Sequence, residues 1–203
     1  MSKKNYSIAR VVTHTQSTIG KCERNNDRKN ESYANMNVNF KSCRKLTYNE
    51  QLNKLIAEKK VCMRGLKADT KVFDEVIFDV NTDYFETHGG YEYAKEFYEE
   101  AYRFAVNLYG EQNIISAVMH ADELNIALTE QYGKPVYHYH MHLVALPVVE
   151  KQILWTKRCK DICTPSVEEN AIQLPFSTAT SVCKKQVFRQ TETDSHSDCP
   201  FIF

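Results

Sequence analysis

At 203 residues the chain can bury one sizeable core, so a single domain is expected rather than two small ones. Basic and acidic side chains number 26 each, and the formal charge of zero excludes a uniformly basic coat; attraction to an anionic partner must come from a local patch. No apolar run approaches membrane-spanning length and "MSKKNYSIARVV" turns polar again at Thr13, so the expectation is a cytoplasmic protein with neither a leader nor a transmembrane segment.

The first apolar stretch, "YSIARVV" at 6–12, alternates briefly and suits a short strand that aims Arg10 at one sheet face. The asparagine-rich segment 20–39 after it reads as a turn and an irregular loop. In "TYNEQLNKLIAEKK" Thr47 and Glu50 give a capping-box signature ahead of Leu52, Leu55 and Ile56, which predicts a short helix. "KVFDEVIFDV" at 71–80 is rich in β-formers, and "NTDYFETHGG" reads as a turn-bearing connection.

The strongest helical pattern covers 91–109, with Tyr91, Ala94, Phe97, Tyr98, Ala101, Phe104, Ala105 and Leu108 on one face and a stop at Gly110. "NIISAVMH" predicts a strand ending at His120, and "VYHYHMHLVALPVV" a second one after a polar excursion. Together these elements predict an α+β fold, a largely antiparallel sheet with helices packed on one face and the other face left for chemistry. From 162 onward Ser, Thr and Pro mix with isolated apolar residues at no period, so a domain at 1–161 and a poorly structured tail at 162–203 are expected. The seven cysteines are odd in number, scattered and without paired CxxC motifs, and are expected as free thiols.

The chemistry concentrates in "HADE" and "HYHMH". Side chains alternate along a strand, so His138, His140 and His142 share one face, about 7 Å apart in successive pairs. If the strand ending at His120 pairs with that one, its imidazole completes a three-nitrogen set with open positions, the pattern of a catalytic site for Mn, Zn, Fe or Co. Asp122 and Glu123 are then candidates for a further ligand, an orienting group or a proton acceptor. His14, His88 and His196 lack comparable company and read as surface residues.

These residues carry a resemblance. "HADE" followed by "HMH" resembles the HxDE…PHxH signature of plasmid mobilisation relaxases of the Mob/Pre (MobV-type) family, which are HUH endonucleases. "YSIARVV", "CERNNDRKNESYANMNV", "VFDEVIFDVNTDYF", "GGYEYAKEFYEEAYRFA" and "VVEKQILWTKRCKD" extend the likeness from Tyr6 to Asp161. The resemblance implies an HUH relaxase-like fold that binds single-stranded or hairpin DNA at an origin of transfer, cuts one strand and stays attached to the new 5′ end. It implies a divalent ion, Mn or Mg, on His120, His140 and His142, with Glu123 as acidic partner and His138 beside the ligands without joining them. DNA contacts fall to the basic cluster Arg10, Lys21, Arg24, Arg28 and Lys29, chiefly through phosphates.

Two departures matter. The family nucleophile is a histidine in an HNxR motif, and the matching stretch "NNDR" puts Asn25 there, an amide with no basic nitrogen to attack phosphorus. Tyr6 and Tyr33 are conceivable substitutes. Relatives also continue well past the "KRCKD"-like segment, so the expectation is a truncated copy. The readings open at this point are a strand-nicking relaxase domain, a non-catalytic DNA-binding remnant lacking its nucleophile, and a metal-dependent hydrolase of unrelated substrate.

Overall fold

A computed structural model describes residues 7–28, 36–41, 45–154 and 182–188. Five strands form one sheet: β1 (Ser7–His14), β2 (Val38–Lys41), β3 (Phe73–Val80), β4 (Ile114–Leu124) and β5 (Tyr137–Ala145). Their order is β1-β3-β5-β4-β2 and every neighbouring pair is antiparallel. The central strands β5 and β4 are nearly all buried, as continuous runs such as "HMHLVA" require when both faces are covered.

The face formed by Val76, Phe78, Met119, Tyr139, Met141 and Leu143 is covered by α4 (Tyr91–Tyr109), which has the predicted bounds. Ala94, Tyr98, Ala101 and Ala105 are its buried residues, and the three alanines let the helix axis come close to the sheet. Gly110, at a φ of 82°, ends the helix where a side chain would be strained. Tyr98 is fully buried and donates its hydroxyl to the Tyr139 carbonyl at 2.7 Å, satisfying its one polar atom inside the core. The connection at 81–90 contains a helix that its sequence conceals, α3 (Thr82–His88), capped by the Asn81 side chain and anchored by the fully buried Phe85.

The opposite sheet face carries the even-numbered residues of β5, and helices reach it too. α1 (Ile19–Asp27) and α2 (Tyr48–Ala57) cover one end of it through Ile19, Cys22, Tyr48 and Leu52, packed on Ile115, Val144 and Leu146. The capping box at Thr47 and Glu50 is present as predicted. α1 lies where an irregular loop was expected: its buried positions, Ile19, Cys22, Glu23 and Asn26, follow helical spacing, but two are polar, so no apolar period marks it. β2 was missed in the same segment.

A short exposed helix, α5 (Ile126–Tyr132), links β4 to β5. β6 (Val148–Leu154) pairs antiparallel with β7 (Val182–Phe188) in a separate two-stranded sheet. β7 falls within the 162–203 segment expected to be poorly structured; the rest of that segment lies outside the described residues. Among the described residues no helix is long and apolar enough to cross a membrane, and Cys22 and Cys62 are free thiols.

Tyr98→Phe keeps the ring packing but strands the Tyr139 carbonyl in the core. We expect a loss of about 1–2 kcal/mol in urea unfolding, and a change below a few tenths would show that water replaces the hydroxyl.

Candidate metal centre

Antiparallel pairing of β4 with β5 sets His120 opposite His140 and Val118 opposite His142. The three imidazoles of His120, His140 and His142 therefore meet on one face, each with a ring nitrogen within 4.8 Å of the others, and all three residues are buried. His120 Nδ1 lies 3.3 Å from His140 Nε2. Two nitrogens each about 2.1 Å from a shared ion, at angles between octahedral and tetrahedral, are separated by about 3.0–3.4 Å, so this spacing fits a common cation.

The rings are held from outside. His120 Nε2 lies 3.2 Å from the Asn26 carbonyl of α1, so that nitrogen carries the proton and Nδ1 keeps its lone pair. His142 Nδ1 lies 2.7 Å from Glu75 Oε1 on β3, so that nitrogen donates to the carboxylate and the ring is held in place. His140 Nδ1 is buried with no hydrogen-bond partner among the described residues. A set of three buried imidazoles, two of them oriented by hydrogen bonds from outside the cluster, suits a divalent ion.

Burial, reinforced by the neighbouring imidazoles, lowers His140 to about 2, and burial chiefly lowers His120 to about 4. Burial pushes the Glu75 carboxyl upward, but the hydrogen bonds from His142 and His14 overcome it and hold Glu75 at about 2. Both rings and carboxylate are thus in their metal-competent states at neutral pH.

Asp122 and Glu123 turn out to share one task. A β-bulge between His120 and Glu123 inserts an extra residue, so Glu123 rather than Asp122 stands opposite His138. Arg28 Nη2 donates to Glu123 Oε1 at 2.7 Å, and Arg28 Nε lies 3.4 Å from Asp122 Oδ2. Arg28 Nη2 also lies 3.3 Å from His120 Nδ1. Arg28 sits in the left-handed region at a φ of 46°, at the end of α1, which aims its guanidinium inward beside the histidines. It was expected on an exposed basic surface; it is instead largely buried in this acidic clasp. Asn37, which sequence reading passed over, accepts from the Ala121 N–H and donates to Asp122 Oδ2. Nothing in its asparagine-rich surroundings marks it out.

His138 lies beside the three converging rings, with its ring centroid 5.0 Å from that of His140, and is held by Thr82 at 3.0 Å and Asp79 at 3.5 Å. Arg10 is exposed on β1 and shares the histidine face, since it pairs with Ile77, which pairs with His142. Lys21, Arg24 and Asn25 are exposed on α1, and Asn25 directly precedes the Asn26 carbonyl that meets His120. Lys29, Tyr6, Tyr33 and His196 lie outside the described residues. His14 corrects the sequence reading: it is no ordinary surface residue but bonds Glu75 at 3.0 Å. His88 is exposed, as expected, and its ring stacks on Tyr93.

An all-antiparallel sheet that brings three imidazoles onto one face, ringed by arginine and carboxylates, is the architecture of a relaxase domain. The chain belongs to the Mob_Pre family, described as plasmid recombination enzyme, whose model matches residues 3–164. It is 28% identical over 129 residues to a plasmid recombination enzyme of Streptococcus agalactiae, covering 59% of this chain and 26% of that protein. It is 29% identical over 125 residues to a type 2 plasmid recombination enzyme of Staphylococcus aureus, covering 62% of this chain and 26% of that one. The matched stretch thus spans about a quarter of these relatives. A Mn-bound structure of the MobM relaxase domain with plasmid pMV158 oriT DNA is 25% identical, covers 70% of each chain and superposes with a TM-score of 0.55.

The depressed histidines make the ion-free protein sensitive to acid. Below the ordinary histidine value of 6.5 the unfolded chain takes up protons that the buried rings refuse, so stability falls until about 4 for His120 and about 2 for His140. Glu75 acts in the same direction at lower pH: its contribution is present above 4.5 and lost as the pH falls through about 2. Thermal melts of chelator-treated protein should show a midpoint that declines steadily once the pH drops below 6.5; a flat profile down to about 4 would contradict this burial.

Proposed function

We propose that this chain binds single-stranded or hairpin DNA from an origin of transfer across its histidine face, with a divalent ion, manganese or magnesium, held by His120, His140 and His142. The observation that carries the reading is the convergence of those three buried nitrogens within 4.8 Å on a face that also presents Arg10. Such an ion neutralises charge developing on the non-bridging oxygens of a phosphate and orients it.

The chain's own residues supply the rest. Glu75 and the Asn26 carbonyl fix the ligand rings, so no reorientation is needed when the ion and phosphate arrive. Arg28, clasped by Asp122 and Glu123, places a fixed guanidinium beside His120, where it favours an anionic phosphate without being free to wander. Arg10, Lys21 and Arg24 are exposed and supply sequence-independent affinity through the backbone; Lys29 continues the same basic run in the sequence.

Strand transfer is a separate matter. In the family the nicking group forms a bond to phosphorus as the 3′ oxygen leaves, and Asn25, at that position, offers an amide with no available lone pair of basic character. The reading that best fits this side chain is a relaxase-type domain of a plasmid mobilisation or recombination system that holds origin DNA but does not form the covalent 5′ adduct.

With labelled single-stranded origin DNA and Mn, the protein should bind without forming a covalent species, and Asn25→His should yield a denaturant-resistant adduct. Adduct formation by the unaltered protein would locate a nucleophile elsewhere. Failure of Asn25→His to cleave would leave a DNA-binding protein only. Replacing Arg10 and Arg24 by Ala should weaken DNA binding similarly for unrelated sequences and flatten the plot of log affinity against log salt by roughly 0.7 for each phosphate no longer neutralised; an unchanged slope would place the DNA on another surface.

A further inference from the structure

A second group of metal-ligating side chains adjoins the first, and the DNA reading uses only its Glu75. His14 of β1, Cys22 of α1 and Glu75 of β3 each offer one ligand atom, all within 4.8 Å of one another. His14 Nε2 is 3.0 Å from Glu75 Oε2, Cys22 hydrogen-bonds Glu75, and both Cys22 and Glu75 are buried. Two consecutive elements, β1 and α1, and the sequence-distant β3 thus bring an imidazole, a thiol and a carboxylate to one point.

We propose that His14, Cys22 and Glu75 form a second cation site, selective for zinc or a similarly thiophilic divalent ion, that fastens α1 to the sheet. The donor set differs in kind from the three imidazoles next door: a sulfur ligand draws zinc or cobalt in preference to manganese or magnesium. In the ion-free state His14 Nε2 faces Glu75 Oε2, and the Cys22 thiol lies against the same carboxylate and accepts from the Asn26 amide at 3.2 Å. On binding, Cys22 releases its proton to solvent, His14 moves its ring proton to Nδ1, and the dication takes the place of both hydrogens against the Glu75 carboxylate. One proton leaves per ion bound, and a water completes four-coordination.

The placement explains why an ion is useful there. α1 buries only Ile19 and Cys22 as apolar residues and has no side-chain cap at Thr18, so packing alone holds it weakly. Yet α1 carries the Asn26 carbonyl and Arg28 that touch His120. Glu75 joins the two sites directly, since its other oxygen accepts from His142. The second ion therefore secures the helix on which the first site leans. This inference stands apart from the DNA reading, because it concerns metal content alone.

Cobalt titrated into the apo full-length chain reports the site, because a thiolate ligand gives a charge-transfer absorption in the near ultraviolet that imidazoles do not. We expect that band in the unaltered protein and in His140→Ala, and its loss in Cys22→Ser and in His14→Ala, while the other six cysteines remain in place. X-ray absorption of the zinc-loaded unaltered protein should place one sulfur at about 2.3 Å from the ion, a readout that needs no variant to fold. A cobalt spectrum without the band, a band that survives Cys22→Ser, or a zinc shell of nitrogen and oxygen only would each overturn the proposal. Retention of the band in His140→Ala with loss of DNA binding would separate this site from the first.

Discussion

His120 stands opposite His140 because β4 and β5 pair antiparallel in one particular register, and the chemistry of this protein hangs on that pairing. A slip of one residue would turn His138, His140 and His142 into the tightly packed face beneath α4 and send Tyr139, Met141 and Leu143 to the other side. The register is fixed by what it buries: Tyr139, Met141 and Leu143 fill the core against Phe85, Tyr98 and Met119, and each fully buried side chain of that size contributes roughly 1.5–3 kcal/mol. The apolar half of β5 thus holds its histidine half in place.

Around that pairing the polar groups are arranged so that each buried charge has a partner. Glu75 accepts from His14 and His142, Arg28 is held by Asp122 and Glu123, and Asp122 is held in turn by Asn37. Burial of such groups is costly unless they are matched, and removing one partner leaves the other exposed to the full desolvation penalty. The bulge after His120 makes the Arg28 clasp possible by bringing Glu123 to the histidine face. Rigidity here suits the function proposed, since a site meant to bind a phosphate gains little from groups that must first be ordered.

Much of this was readable from the residues. The two-residue period of "HYHMH" and the apolar run before His120 were enough to expect three converging imidazoles, because strand alternation is a strict geometric rule. The helix at 91–109 and the capping box at Thr47 were equally plain, as both rest on local patterns. α1 was not, because it is held by tertiary contacts made with polar side chains and a main-chain carbonyl, none of which leaves an apolar period. The inward turn of Arg28 depends on a left-handed residue and a bulge ninety-odd positions away, and a charge run read in isolation looks like a solvated surface. His14 was misjudged for the same reason: its partner Glu75 is near only after β1 and β3 pair.

Binding of one divalent ion by His120, His140 and His142 is the proposal on which the DNA function rests. Crystals of the unaltered chain grown with manganese, measured near the manganese absorption edge, test it most directly. A single strong anomalous peak is expected about 2.1 Å from a nitrogen of each of the three rings, with His142 still bonded to Glu75. A peak elsewhere, or none at saturating manganese with the three rings in their present positions, would contradict it.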